Sequence, residues 1–324
     1  MKRIAVFTSG GDAPGMNACI RATVRTALQA GIEVYGIYRG YAGMINGDIV
    51  PLNSRDVSNI IQLGGTILHS ARSEEFRTTD GRAKAYQQLQ AKGIEGVVAI
   101  GGDGTFTGAR IFMEEYPDIP FVGVPGTIDN DLVGTDFTIG YDTAINTAMN
   151  AIDNIKDTAG AHDRLFFVEV MGRDAGFIAL RSAIASGAEA VLVPESKTNI
   201  EVLVQTLKHN YENKKSSSIV VVAEGDDAGG AFDIAERVRK EVSEYDIRVT
   251  ILGHIQRGGR PTCMERVRAS RLGMEAVRAL MAGKTSVMVG QIHNDIVFTP
   301  FAQAIKDTSL GVNPILEEMV SILA

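Results

Sequence analysis

The 324-residue chain is 45% hydrophobic and carries 32 Lys and Arg against 39 Asp and Glu, a formal charge of -7. That length and apolar content support a large buried core, more naturally divided between two lobes than held in one, and exclude a disordered or fibrous chain. The acidic balance excludes a generally basic surface of the kind that binds nucleic acid, so any bound anion must meet local clusters of Arg and Lys.

In chain order, the opening MKRIAVFTSGG holds a five-residue apolar run, well short of a signal-peptide core. No apolar stretch approaches the roughly 18 residues that suggest a membrane span, so a soluble, cytoplasmic protein without membrane partners is expected. Short apolar, β-branched runs then alternate with segments of helical period, the pattern of βαβ units and a parallel sheet. Residues 4–8, 97–100, 121–124, 165–170, 190–193, 219–223 and 249–252 read as buried strands. Helical period marks residues 16–30, where Ile20, Val24, Ala27 and Leu28 share one side and Arg21 and Arg25 another, and residues 143–158, 200–214, 232–244 and 264–281. The only cysteines, Cys19 and Cys263, are too few for a disulfide framework, and neither has a Cys or His at metal-ligand spacing.

Three strand-end loops carry possible chemistry. In the first, Ser9 to Asn17, glycines precede the helix bearing Arg21 and Arg25, whose N-terminal amides suit an anion. Its glycine spacing is not G-x-G-x-x-G, and Gly283-Lys284-Thr285 is no Walker A loop because Arg278 stands where the first glycine is required. That piece reads as a turn after a helix. The second loop, in VVAIGGDGT at residues 97–105, sets Asp103 among Gly101, Gly102 and Gly104: a hard oxygen ligand for Mg2+ with exposed amides for phosphate, or a tight turn in which Asp103 caps a helix starting near Thr105.

The third loop, Pro125 to Asp131, places Asp129 and Asp131 with a single residue between them, suited to accepting a hydroxyl proton during phosphoryl transfer; an Asx-rich turn is the alternative for either acid alone. Cationic partners lie further on at Arg164, Arg173, Arg248 and in Gly253-His254-Ile255-Gln256-Arg257-Gly258-Gly259. Arg forks match phosphate bidentately, although any one Arg is more often a surface residue and a lone His254 a structural one. Glu224 follows a strand and either accepts bonds from sugar hydroxyls or caps a turn.

Taken together, GGDxPGMN, IGGDGT, PGTIDND, EVMGRDAG, VAEG and GHIQRGG, in this order from Lys2 to about Leu280, resemble the bacterial ATP-dependent 6-phosphofructokinases. The resemblance weakens over the last forty or so residues. It implies an α/β fold of two lobes, each a parallel or mixed sheet flanked by helices, with the active site between them: an ATP-binding lobe of residues 1–140 plus 256–303 and a sugar-phosphate-binding lobe of residues 141–255 plus 304–324. Gly11, Arg72, Ser73, Gly102, Asp103, Gly104 and Thr105 would contact ATP, with Asp103 holding Mg2+. Asp129 would accept the proton of the sugar 1-hydroxyl. Thr127, Ile128, Asp131, Met171, Gly172, Arg173 and Glu224 would line the fructose 6-phosphate pocket, Arg173 and Arg72 would stabilise the transferring phosphoryl group, and His254, Ile255, Gln256 and Arg257 would hold the 6-phosphate.

The same resemblance implies a homotetramer in which Arg164 and Arg248 reach into the neighbouring subunit's site. It places an effector pocket for ADP or phosphoenolpyruvate at Arg21, Arg25, Gly187 to Glu189 and Lys215, with Lys156 and Asn213 where arginines are usual, a departure expected to blunt the response. Pyrophosphate-using relatives typically carry Asp at the position of Gly104 and Lys at that of Gly126, so two glycines here favour ATP. The alternatives are a pyrophosphate-dependent enzyme, a non-catalytic sugar-phosphate-binding regulator, and an NAD or lipid kinase, which shares the GGDG loop but lacks GHIQRGG.

Overall fold

The computed structural model describes residues 1–159, 164–213, 217–306 and 313–323. Their elements run β1 (Arg3–Thr8), α1 (Met16–Gln29), β2 (Glu33–Ile37), α2 (Gly40–Asn46), β3 (Ile49–Leu52), α3 (Thr79–Ala91), β4 (Val97–Gly101), α4 (Asp103–Glu115), β5 (Phe121–Thr127), β6 (Ile139–Gly140) and α5 (Tyr141–Ala159). They continue through β7 (Arg164–Val170), α6 (Phe177–Ser186), β8 (Ala190–Leu192), α7 (Ile200–Glu212), β9 (Ser217–Ala223), α8 (Ala231–Arg239), β10 (Asp246–Ile251), α9 (Cys263–Met281), β11 (Val287–Ile292), β12 (Asp295–Pro300) and α10 (Pro314–Leu323). The chain forms two compact units, one of Met1–Ile128, Leu132–Thr143 and Arg257–Asp307, the other of Asp129–Asp131, Ala144–Gln256 and Thr308–Ala324.

In the first unit the strands lie in the order β12-β11-β5-β4-β1-β2-β3, with β6 added to β5. The central pairs β1–β2, β1–β4, β4–β5 and β5–β11 are parallel, while β2–β3 and β11–β12 are antiparallel at the edges. The centre is apolar throughout because helices cover it on both faces: Ile4 to Phe7 and Val97 to Ile100 are fully buried. On one face Ala5, Phe7, Val97 and Ala99 share a cluster with Phe106, Phe112, Phe121 and Phe301, each phenylalanine burial contributing roughly 1.5–3 kcal/mol. The second unit holds a four-stranded, all-parallel sheet in the order β10-β7-β9-β8, its core built on Leu165, Phe167, Val220, Val222 and Ile234.

All seven expected strands are present; β2, β3, β6, β11 and β12 were not expected from the sequence. The helix expected over 232–244 stops at Arg239, after which Val242 and Tyr245 turn into the core of the second unit. Helix α4 begins two residues before Thr105, with Gly102 as its N-cap and no capping side chain, so Asp103 is not a cap. Cys19 is buried and Cys263 exposed, both free. Gly283 makes the expected turn after α9, with φ +74°. Among the described residues no helix is long and apolar enough to cross a membrane.

Gly123 in β5 leaves room for two stacked rings: a Cβ there would lie 2.5 Å from Phe106 and 2.6 Å from Phe301. Overpacking of this kind costs about 1–3 kcal/mol, so Gly123→Ala is expected to lower the melting temperature by several degrees, measured by thermal unfolding.

Candidate active site

In the first unit, the register that pairs Thr8 with Ile100 and Gly101 with Pro125 ends β1, β4 and β5 at one edge of the sheet. Three connections therefore leave together, marked by Gly11 in the loop after β1, Asp103 at the start of α4 and Thr127 at the end of β5. Gly101 is compelled to be glycine, since a Cβ would meet Thr105 Oγ1 at 2.3 Å and the Ser9 carbonyl at 2.7 Å. Gly102 and Gly104 instead face space, with Thr127 Cβ 3.8 Å from a Cβ at 102 and, among the described residues, nothing within 4 Å of one at 104. Asp103 lies half-buried in the first turn of α4, near the positive end of the helix dipole.

Thr105 is held from behind: Tyr41 Oη donates to its carbonyl at 2.5 Å, and the Tyr41 ring stacks on Phe76 at 3.9 Å. Phe76 belongs to a turn that Ser73 Oγ caps by accepting the Phe76 amide, and that Arg82 fixes by donating to the carbonyls of Phe76 and Arg77 while pairing with Glu115. Arg72 is exposed beside it. Arg257 lies over the first loop, its Nη1 2.5 Å from where a Gly11 Cβ would be and donating to the Asp12 carbonyl at 3.5 Å. The Thr127 carbonyl accepts Thr138 Oγ1 at 2.6 Å, and Ile128 is fully buried.

In the second unit, β7 and β9 end in register, Val170 beside Ala223, with Glu169 beside Ile251 of β10. The loop after β7 carries Met171, Gly172 and Arg173. Arg173 Nε stands 3.8 Å from Asp129 Oδ2, an ion pair in which Asp129 is 4% and Arg173 56% exposed. Asp131 is buried as well. Glu224 accepts the amides of Arg173 at 2.8 Å and Gly172 at 3.4 Å, so its carboxylate holds the loop backbone. Gln256, fully buried, accepts the Met171 amide at 3.3 Å and donates to the Gly253 carbonyl, while His254 and Ile255 are exposed.

Asp246 receives Arg248 at 2.8 Å and Arg164 at 3.3 Å; the hydrogen bond from Arg248 holds its carboxyl below the usual aspartate range. Of the residues expected to bind an effector, Arg21 is partly buried and Arg25 exposed on α1. Lys156 donates to the carbonyls of Ser186 and Gly187 at the end of α6, Asn213 donates to the His209 carbonyl at the end of α7, and Glu189 accepts Asn210. Lys215 lies outside the described residues.

The Phosphofructokinase family model matches residues 3–280. The chain belongs to the phosphofructokinase family. It is 55% identical to ATP-dependent 6-phosphofructokinase 2 of Bacteroides thetaiotaomicron over 100% of this chain and 98% of that one. It is 57% identical to ATP-dependent 6-phosphofructokinase 1 of Thermus thermophilus over the whole of both. Among solved structures, phosphofructokinase from Saccharomyces cerevisiae superposes with a TM-score of 0.91 at 34% identity, over 100% of this chain and 48% of that chain, so the present chain spans about half the yeast one.

One residue of this phosphofructokinase that sequence reasoning missed is Glu265. Thr262-x-x-Glu265 has the spacing of a capping box, and Thr262 Oγ1 does accept the Glu265 amide. The Glu265 carboxylate, however, turns to α5, accepting the amide and hydroxyl of Thr143, both at 3.2 Å, and its Cγ lies 2.9 Å from where a Gly15 Cβ would be. Burial pushes its acid up to about 7, with Asp142 adding to the rise and the hydrogen bonds of Gly140 and Thr143 opposing it.

Because the folded value exceeds the ordinary 4.5, the folded protein binds this proton more tightly than the unfolded chain, and stability falls as pH rises from about 4.5 to about 7. Melting temperatures across that window should show this decline in the native protein, and Glu265→Gln should remove this component of the slope whatever its absolute midpoint.

Proposed function

We propose that the chain transfers the γ-phosphoryl group of ATP to the 1-hydroxyl of fructose 6-phosphate, giving ADP and fructose 1,6-bisphosphate, the committed step of glycolysis. The observation that carries this reading is the buried Asp129 carboxylate 3.8 Å from Arg173, within a chain more than half identical along its length to enzymes named ATP-dependent 6-phosphofructokinase. Asp129 accepts the hydroxyl proton as the sugar oxygen attacks phosphorus and the bond to the ADP oxygen breaks. Arg173 and Arg72 offset charge on the transferring group. Thr127, Ile128, Asp131, Met171, Gly172 and Glu224 shape the acceptor pocket, and His254, Ile255, Gln256 and Arg257 serve the 6-phosphate.

ATP is received along Gly11, Arg72, Ser73 and Gly102 to Thr105. Donor choice rests on space: among the described residues Gly104 has no neighbour within 4 Å of a Cβ, whereas a Cβ at Gly126 would meet Met16 at 3.0 Å and Ile100 at 3.1 Å, so a lysine there would press these neighbours aside by a few tenths of an ångström. Magnesium suits the same loop. Among the described residues no cluster of three acidic, His or Cys ligands exists, and Mg2+ is usually held by one or two carboxylates with waters and substrate phosphates. Asp103, half-buried and flanked by open glycines, would be that carboxylate, and the ion when bound would supply positive charge to the phosphate oxygens.

In a homotetramer, Arg164 and Arg248 act in the neighbouring subunit's site. ADP or phosphoenolpyruvate binds at Arg21, Arg25, the Gly187 to Glu189 loop and Lys215 with a blunted response. Supporting this is the use of Lys156 and Asn213 as caps on the carbonyl ends of α6 and α7, which leaves those groups committed before an anion arrives.

A matrix of ATP and pyrophosphate against fructose 6-phosphate and NAD, followed by product formation, tests donor and acceptor together: turnover is expected only with ATP and the sugar phosphate, and robust turnover with pyrophosphate alone would overturn the donor assignment. Asp129→Asn is expected to lower kcat by about 10²–10⁴-fold while leaving fructose 6-phosphate binding, measured calorimetrically, largely intact.

A further inference from the structure

The loop from Met171 to Gly176 holds Arg173 in a backbone conformation that it would not take unaided. Arg173 has φ +54° and Gly172 φ +146°, and a non-glycine residue stays in the left-handed region only where its surroundings over-determine it. Within the loop the Ala175 amide donates to the Gly172 carbonyl at 3.0 Å, and a Cβ at Gly225 would come within 1.9 Å of the Arg173 carbonyl. Glu224 secures the first half through the amides of Gly172 and Arg173.

The second half ends on Glu195. This residue follows β8, whose Leu192 pairs with Val222 of β9, so it emerges at the same sheet edge as Arg173 and Glu224. Its Oε1 accepts the Gly176 amide at 2.8 Å. Gly176 is the N-cap of α6 and has no side chain to cap with, so the Glu195 carboxylate also meets the positive end of that helix. The packing is close: a Cβ at Gly176 would lie 2.5 Å from Val193 Cβ and 2.6 Å from Glu195 Oε2. Among the described residues Glu195 Oε2 is buried with no hydrogen-bond partner, an arrangement that costs free energy.

We propose that Glu195 is a positioning residue for phosphoryl transfer: by clamping the Gly176 end of the loop, it keeps Arg173 beside Asp129. The inference rests on the reading of Arg173 and Asp129 as the charge-stabilising and proton-accepting groups. A merely structural Glu195 would stabilise α6 without affecting turnover in folded enzyme. A positioning Glu195 acts through Arg173, and a displacement of about 1 Å at a reacting group can cost on the order of a hundredfold.

The test is a kinetic cycle on the full chain with Glu195→Ala, Arg173→Ala, the double variant and Glu195→Gln, each assayed well below its own melting temperature. Glu195→Ala is expected to lower kcat about 10- to 100-fold with little change in the KM for ATP. Glu195→Gln, which keeps an acceptor for the Gly176 amide, should recover most of that loss, and in the Arg173→Ala background Glu195→Ala should remove little more. A lowered melting temperature with unchanged kcat, or two losses that multiply, would overturn the proposal while leaving Arg173 its role. Unchanged turnover in Arg173→Ala would instead sink the reading beneath it. Should Glu195→Ala fail to fold, Gly176→Ala presses on the same contact and is expected to lower kcat likewise; full activity there counts against the clamp.

Discussion

The alignment of parallel strand ends is the constraint on which the rest of the molecule depends. Parallel hydrogen bonding between β1, β4 and β5 sets Thr8 beside Ile100 and Gly101 beside Pro125, so three chain segments leave the sheet at one edge, with α1 and α4 starting soon after β1 and β4. In the second unit the same pairing brings the ends of β7, β8, β9 and β10 into register. Ligands of open α/β sheets gather beyond such ends because backbone amides and helix dipoles converge there. Glycine at 101, 172 and 225 lets the loops approach other backbone more closely than any side chain would permit.

Those loops are then fixed largely by polar side chains acting on backbone. Glu224 and Glu195 take amides of the Arg173 loop, Gln256 takes the Met171 amide, Tyr41 donates to the Thr105 carbonyl, and Glu265 takes the Thr143 amide. A buried amide must have a partner, and a loop outside a sheet has no strand to supply one. The carboxylates and amides that a sequence presents as candidate ligands therefore include several, such as Glu224 and Gln256, that hold loop backbone. Lys156 and Asn213 show the same economy at carbonyl ends of helices: one ammonium or amide cannot saturate a helix terminus and remain equally free for an anion.

The fold was legible where burial is two-sided. The runs at residues 4–8, 97–100 and 219–223 are continuous apolar, β-branched stretches because helices cover both faces of a parallel sheet, and they became β1, β4 and β9. Three of the missed strands, β3, β6 and β12, lack that signature. β3 and β12 lie at sheet edges, alternate or half-bury their residues, and include Pro51 and Pro300; β6 is only two residues long and exists by pairing with β5. The helix over 232–244 was overextended because Val242 and Tyr245 keep the apolar period after the helix has ended.

By itself the sequence determined the family, through the order of its glycine-carboxylate and GHIQRGG segments, because those residues are constrained by close backbone approach and charge wherever the chain folds. It also determined which acids and arginines were available for chemistry. Tertiary structure alone decided which of them touch: that Arg173 stands by Asp129, that Arg257 lies on the Gly11 loop, that Glu224 faces amides, and that Glu195 and Glu265 sit against helix starts 19 and 122 positions away in the chain. The reason is physical. Local pattern encodes conformation and burial, whereas the partner of a polar group is set by strand order and register, which bring together residues from 19 to 245 positions apart.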